Sequence, residues 1–429
     1  VEIVSLLFIS FFILAFLNIP IAVALGISSF LCMYFFGYDL SILPTQVYSG
    51  IAKFVLLAVP FFILSGNIMD KSGISSRLIR FVNSLVGHKK GGLIYATVIA
   101  SLFFAAISGS GPACVAALGS ILIPAMERNG YGRNFPSALM ATGGSIGTVI
   151  PPSIPFVMYG LVTSVSITKL FMAGFIPGLL LGLVLIFTAK WQTKDWNIVL
   201  REKAGSEERK QAFVQAIPAI MMPVIILGGI YSGIFSPTEA AAVSCVYGLI
   251  VGFFIYKTLT IKTLYELFRT SVISAGNIML VIAGASLFAW FCSVSGITQM
   301  ISNSLLNIAG NQFKFLIIVN IVLLIAGCFV DSTSAIYLFC PIFVPVAKTL
   351  GYDLTALGVV FIVNLAIGNI TPPIGLNLFC ACSVGKTKIT DVVKYSLPQL
   401  LGFLIILILI TYIPKISTFL PILVYGSSL

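Results

Sequence analysis

Charge is what this chain has least of. Of its 429 residues only 9% are Asp, Glu, Lys or Arg, and it has a single histidine. An ordinary soluble domain carries about 25% charged residues, so that class is excluded. The eight cysteines (Cys32, Cys114, Cys245, Cys292, Cys328, Cys340, Cys380 and Cys382) lie in or beside apolar segments. Cys380-x-Cys382 has neither metal-site spacing nor a nearby histidine, and the cysteines read as small core hydrophobes. The short alternating segments of a membrane β-barrel are missing. No Walker A pattern occurs, so the sequence offers no direct coupling to ATP.

What is there is apolar: 59% of the chain. Runs of about 17 residues or more recur along it, each long enough to cross a hydrocarbon core of about 30 Å. The expected fold class is an all-α polytopic membrane protein. The net charge of +11 sits in a few connecting segments, as the positive-inside rule requires, and is no nucleic-acid footprint. Val1–Leu17 reads as the first span rather than a signal peptide. Asn18-Ile19-Pro20 ends it, Ile21–Phe36 is the second span, 37–49 a loop, and Ile51–Met69 a kinked span or tilted arm with Pro60 inside.

Two interruptions stand out in the apolar sequence. Ser108-Gly109-Ser110-Gly111-Pro112 is followed by Gly143-Gly144-Ser145-Ile146-Gly147-Thr148-Val149-Ile150-Pro151-Pro152. Asp331-Ser332-Thr333-Ser334 is followed by Gly368-Asn369-Ile370-Thr371-Pro372-Pro373. Open backbone at membrane depth costs several kcal/mol per group unless it faces protein, a cavity or a ligand. The two interruptions are copies. A shift of 221 takes Pro124 to Pro345, Gly130-Tyr131 to Gly351-Tyr352, Gly147 to Gly368, Pro151-Pro152 to Pro372-Pro373 and Pro177 to Pro398. It also takes Ser110 to Asp331, and a shift of 223 takes Ser72-Gly73-Ile74 to Ser295-Gly296-Ile297. The chain is therefore duplicated, with residues 1–210 as the first repeat plus linker and 211–429 as the second.

Charge then orients the repeats. Segments 70–90, 190–210 and 257–269 hold five, six and three Lys/Arg, whereas their repeat partners 293–313 and 37–47 hold none and the tail after 411 only Lys415. Partners on opposite sides mean inverted repeats. An odd number of crossings per repeat follows. Five fit if the stretches around Ser108–Pro112 and Asp331–Ser334 are tips of re-entrant hairpins, giving about ten crossings and two opposed hairpins.

Unwound backbone and hydroxyls at the midplane suit a hard monovalent cation, and the half-helix N-termini beside them suit an anion. Two Na⁺ sites are expected. The first comprises Ser108, Ser110, Gly147, Ile150 and Pro152; the second comprises Gly327, Asp331, Ser334, Gly368, Thr371 and Pro373. Gly109, Ser145, Thr148, Ser332, Thr333 and Asn369 are the expected substrate contacts. Asp331, the lone acid in the middle of its apolar region, reads either as a functional group or as the cap of the second hairpin arm. Glu239 in Ser236-Pro237-Thr238-Glu239 reads as a helix start.

At these residues the chain resembles the large membrane subunit of tripartite ATP-independent periplasmic (TRAP) transporters. The carrying stretches are Ser108–Pro112, Asn129–Phe135, Gly143–Ser153, Ser236–Val243 and Thr371-Pro372-Pro373-Ile374-Gly375. Within that family the chain looks most like sialic-acid transporters. The resemblance implies a bacterial inner-membrane location and a Na⁺-coupled elevator. Its transport domain would be roughly 91–189 and 314–412, moving against a scaffold of roughly 1–69 and 211–292. It also implies a small four-helix membrane subunit and a periplasmic binding protein as partners. The rivals are a TRAP subunit for C4-dicarboxylates or another organic acid, an ion channel, and an intramembrane enzyme using Asp331 or Ser110. The enzyme lacks a paired acid, histidine or lysine at a plausible intramembrane position.

Overall fold

A computed structural model describes residues 2–199 and 203–426. Among the described residues every regular element is a helix. The first repeat runs α1 (Glu2–Phe16), α2 (Ile21–Phe35), α3 (Ile42–Ile51), α4 (Ala58–Lys71), α5 (Ile74–Val86), α6 (Gly92–Ser108), α7 (Gly111–Met126), α8 (Asn134–Val149), α9 (Ile154–Thr163) and α10 (Ile167–Gln192). The second runs α11 (Ser206–Tyr231), α12 (Pro237–Ile250), α13 (Ile261–Val294), α14 (Ile297–Ala309), α15 (Gln312–Phe329), α16 (Ser332–Thr349), α17 (Leu354–Gly368), α18 (Leu376–Gly385), α19 (Ile389–Tyr412) and α20 (Lys415–Tyr425).

Local chemistry explains the boundaries. Pro20 precedes α2, where its missing N–H costs nothing. A capping box starts α12: Ser236 Oγ accepts the Glu239 N–H, and the Glu239 carboxylate accepts the Ser236 N–H at 2.8 Å. Two expectations shift. The bend in 51–69 lies not at Pro60 but at a 3-10 turn, Phe54–Leu57, leaving Pro60 in the first turn of α4. There its N–H would have had no intrahelical partner. Residues 42–49, expected as loop, belong to α3, with Pro44 likewise in the first turn.

Segments 70–90 and 293–313 are also more than loops. Each holds a short amphipathic helix, α5 or α14, entered through a left-handed glycine with φ of +73°, Gly73 and Gly296. α5 buries Ile74, Leu78, Ile79 and Val82 and leaves Arg80 exposed. That pattern suits a helix lying in the membrane interface.

The repeats pack reciprocally. α2 lies on α13 as α12 lies on α4; α7 lies on α18 as α16 lies on α9; α8 lies on α19 as α17 lies on α10. A pseudo-two-fold axis between inverted repeats produces such pairs. Of the ten expected crossings, α4, α8–α9, α10, α11, α12, α13 and α19 are long and apolar enough to span alone. The other three, α1, α2 and α17–α18, are built of shorter apolar helices. α15 also has spanning length, but it reverses at Val330-Asp331 into α16 and so forms a hairpin arm. The broken helices sit at the centre, where nearly every residue of α8 and α17 is buried. A helix apolar on all sides has that place in a bundle.

Candidate ion and substrate site

The two hairpin tips, some 220 residues apart in sequence, meet. One cavity of about 320 Å³ is lined by Gly109–Pro112 from the first tip and Asp331–Thr333 from the second. Thr148 and Asn369 from the two broken helices join them, with Asn277 from α13.

The first tip turns at Gly109, whose φ is +59°. A methyl there would lie 2.9 Å from the Pro152 carbonyl oxygen, so the tip fits against the 150–153 break only as glycine. A methyl built on Gly147 would be 3.4 Å from the Ser110 carbonyl oxygen. The expected first-site residues Ser108, Ser110, Gly147, Ile150 and Pro152 therefore share one neighbourhood, where backbone oxygens face hydroxyls. Thr148 Oγ1 donates to the Ser145 carbonyl at 2.7 Å, and Ser153 Oγ donates to the Thr148 carbonyl at 2.5 Å. The break is thus held in shape by its own side chains.

The second site has different chemistry. Asp331 caps α16: its Oδ2 accepts the N–H groups of Thr333 (2.9 Å) and Ser334 (3.1 Å), and its Oδ1 accepts the Ser334 hydroxyl at 2.5 Å. The cap holds the acid at the cavity wall; Oδ2 already takes two N–H groups, and Oδ1, with one hydroxyl, keeps acceptor capacity for a cation. Gly327 and Gly368 bring the backbones of α15 and α17 together, and a methyl on Gly368 would overlap Gly327 main-chain atoms. Thr371 Oγ1 donates to the Ile367 carbonyl at 2.8 Å, and Pro373 is exposed. The expected substrate contacts Gly109, Thr148, Ser332, Thr333 and Asn369 line the cavity, whereas Ser145 lies fully buried behind it.

Three half-helix N-termini lack a side-chain cap and open at this level: α7 at Ser110, α9 at Ser153 and α18 at Gly375. Helix N-termini favour negative charge, and at α18 one first-turn N–H, that of Asn377, is already taken by the Asn369 carbonyl. Among the described residues lining the cavity there is no lysine or arginine.

A second cavity, of about 340 Å³, touches the first at Ser110, Ile154 and Ile278. It runs between α7 on one side and α4 and α13 on the other, past Ser120 to Asp70, where the basic 70–90 segment begins. On its wall Asn67 Nδ2 donates to Ser271 Oγ at 2.8 Å.

Residues 8–416 match the family described as the tripartite ATP-independent periplasmic transporter, DctM component. The chain belongs to the DctM family of TRAP large permeases. It is 38% identical over 419 residues to the C4-dicarboxylate TRAP large permease DctM of Rhodobacter capsulatus, covering 94% of this chain and 95% of that one. It is 41% identical to the protein of the same description in Pseudomonas aeruginosa, covering 93% of each. It is 38% identical to the sialic acid TRAP large permease SiaM of Vibrio cholerae, covering 89% of each. These values do not single out one substrate, so the sialic-acid resemblance resolves to the family as a whole. In fold, this permease is similar to the Alcanivorax borkumensis YdaH transporter, at a TM-score of 0.59 and 14% identity over 86% of this chain and 88% of that one. It is a polytopic membrane transporter and not an enzyme, which removes the intramembrane-enzyme reading of Asp331 or Ser110.

Sequence reasoning missed Asn377, Asn277 and Asn67. Each is a lone amide in an apolar helix. Asn67 and Asn277 could have been flagged by the match of Gly66-Asn67-Ile68-Met69 to Gly276-Asn277-Ile278-Met279, and all three by the cost of a polar side chain at membrane depth.

Proposed function

We propose that this permease imports a hydroxylated organic acid, N-acetylneuraminate, coupled to Na⁺ held at the two backbone breaks. The observation that carries the reading is the convergence of both tips and three uncapped helix N-termini on one cavity with no lysine or arginine among its described lining residues. One carboxylate can be balanced there by helix ends and two Na⁺ ions. Hydroxyls and an acetamido group suit Thr148, Thr333, Asn369 and Asn277. A dicarboxylate would bring a second charge with no basic side chain to meet it, so the C4-dicarboxylate reading ranks second. Bringing in one negative charge against an inside-negative potential costs about 2.3 kcal/mol per 100 mV, and two accompanying Na⁺ reverse that sign.

The movement is an elevator. α6–α10 and α15–α19 carry the site as a transport domain, and α1–α4 with α11–α13 form the scaffold. The second cavity, leading from Ser110 to the basic segment at Asp70, supports an inward-facing state in an inner membrane. A small membrane subunit beside the scaffold and a periplasmic binding protein complete the transporter. Proteoliposomes holding both membrane subunits, with the binding protein outside, test this. Uptake of N-acetylneuraminate is expected to require a Na⁺ gradient and to resist excess succinate. Uptake without Na⁺ refutes the coupling, and block by succinate moves the substrate to the dicarboxylates.

A further inference from the structure

The two breaks belong to different repeats, yet one side chain joins them. Asn377, in the first turn of α18, is 0% exposed. Its backbone N–H donates to the Asn369 carbonyl at 2.9 Å, inside the second break. Its Nδ2 crosses to the other repeat and donates to Ser145 Oγ at 2.9 Å. From Ser145 the path continues through bonds already described: the Ser145 carbonyl takes the Thr148 hydroxyl, and the Thr148 carbonyl takes the Ser153 hydroxyl. An unbroken relay thus runs from the 368–373 break to both ends of the 150–153 break. Asn377 also bears on the first tip, because a methyl on Gly111 would lie 2.9 Å from either atom of its amide head.

Two features mark this link as more than packing. The first is its singularity. The 221-residue shift puts Ala366 opposite Ser145 and Phe156 opposite Asn377, so the duplicated sequence has no second copy of the bridge. The second is incompleteness. Asn377 Oδ1 and Asn369 Oδ1 are both sealed from solvent without a hydrogen-bond partner. A buried acceptor left unpaired costs about 1–3 kcal/mol. A left-over carbonyl at each break leaves this link an acceptor that can re-pair when a break changes shape.

We propose that Asn377 is the positioning residue through which the two breaks sense each other's Na⁺, so that occupancy of one raises the affinity of the other. This rests on the sodium reading above. Binding at either break fixes its carbonyls, and the relay passes that ordering across the repeat boundary. The coupling must be reciprocal, since it is a single free energy shared by both sites.

The test uses the full chain in lipid nanodiscs. Thermal stabilisation is measured against Na⁺ at constant ionic strength, with choline as the replacing cation. Wild type is expected to titrate with a Hill coefficient above 1. Asn377→Ala is expected to bring that coefficient to about 1 and raise half-saturation by roughly 5-fold or more. Ser145→Ala removes the other end of the same bond and decides the matter if Asn377→Ala fails to fold. The double variant is expected to lose no more than either single one. A wild-type Hill coefficient of 1, or one above 1 that both variants retain, overturns the coupling and leaves the sodium reading standing. A wild type indifferent to Na⁺ removes the sodium reading itself.

Discussion

The two hairpins descend from one sequence, and their surroundings differ. The 151–153 break is buried throughout, while Pro372, Pro373 and Ile374 are exposed. The second hairpin seals against the opposite helices, with α16 packed on α13 and on α14. The first stands away: α7 touches α5 but has no matching interface with α4, and the cavity toward Asp70 fills the gap. The tips differ as well, one uncapped at Ser110, the other closed by Asp331. Inverted repeats can build two arrangements related by the pseudo-two-fold axis, and the structure holds one of them. In the proposed transport cycle the packing difference marks which face is shut, and the chemical difference gives one proposed Na⁺ site a fixed charge and the other only dipoles.

The largest effect expected from that contrast concerns two equivalent glycines. Gly368→Ala drives a methyl into the Gly327 backbone, whereas the nearest neighbour of a methyl on Gly147 is at 3.4 Å. Overpacking of the first kind costs about 1–3 kcal/mol. Gly368→Ala should lose most Na⁺-driven uptake and lower the melting temperature, while Gly147→Ala should remain near wild type in stability. Equal losses in the two variants would show that the close approach of α15 and α17 is not special.

Next comes the charge difference. Asparagine caps helices about as well as aspartate, so Asp331→Asn keeps α16 in place and removes only the charge. Half-saturation by Na⁺ should rise roughly 10-fold, equivalent to about 1.4 kcal/mol. Ser110→Ala should raise it less, since main-chain carbonyls remain. A larger effect at Ser110 would reverse the assignment of the charged site.

Exposure gives a third, smaller contrast. A cysteine at Ile374, which is 39% exposed, should react with a water-soluble maleimide faster than one at its repeat partner Ser153, which is fully buried. The difference should narrow during turnover, when the opposite arrangement is visited. Equal rates at rest would contradict a single closed face. The smallest effect is a control outside both breaks: Ser236→Ala removes the α12 capping box, costing about 1 kcal/mol of stability. It should leave the Na⁺ titration where it was.

Much of this architecture was legible in the sequence because membrane depth magnifies local chemistry. Glycine, proline and hydroxyls in apolar runs are costly there, so Ser108–Pro112, Gly143–Pro152, Asp331–Ser334 and Gly368–Pro373 announced the tips and breaks, and their spacing announced the duplication. Loop charge announced the inversion. The interfacial helices α5 and α14 were hidden inside segments read for charge alone, and the bend before Pro60 was hidden because proline is harmless in a first helical turn. Asn377 was invisible for a deeper reason. Its proposed role comes from contact with Ser145, 232 residues away, and although it lies two residues past Gly375, no repeat marks it. Its repeat partner is Phe156, so the symmetry that revealed everything else pointed elsewhere.

The central claim is that the main chain opens at two related points to hold Na⁺. The most direct test compares density maps of the chain in Na⁺ and in choline, at a resolution that separates ions from backbone oxygens. The account predicts one peak among Ser110, Gly147, Ile150 and Pro152 and another among Gly327, Asp331, Gly368 and Thr371, both lost in choline. Identical maps in the two salts, with neither break holding a peak, would contradict it.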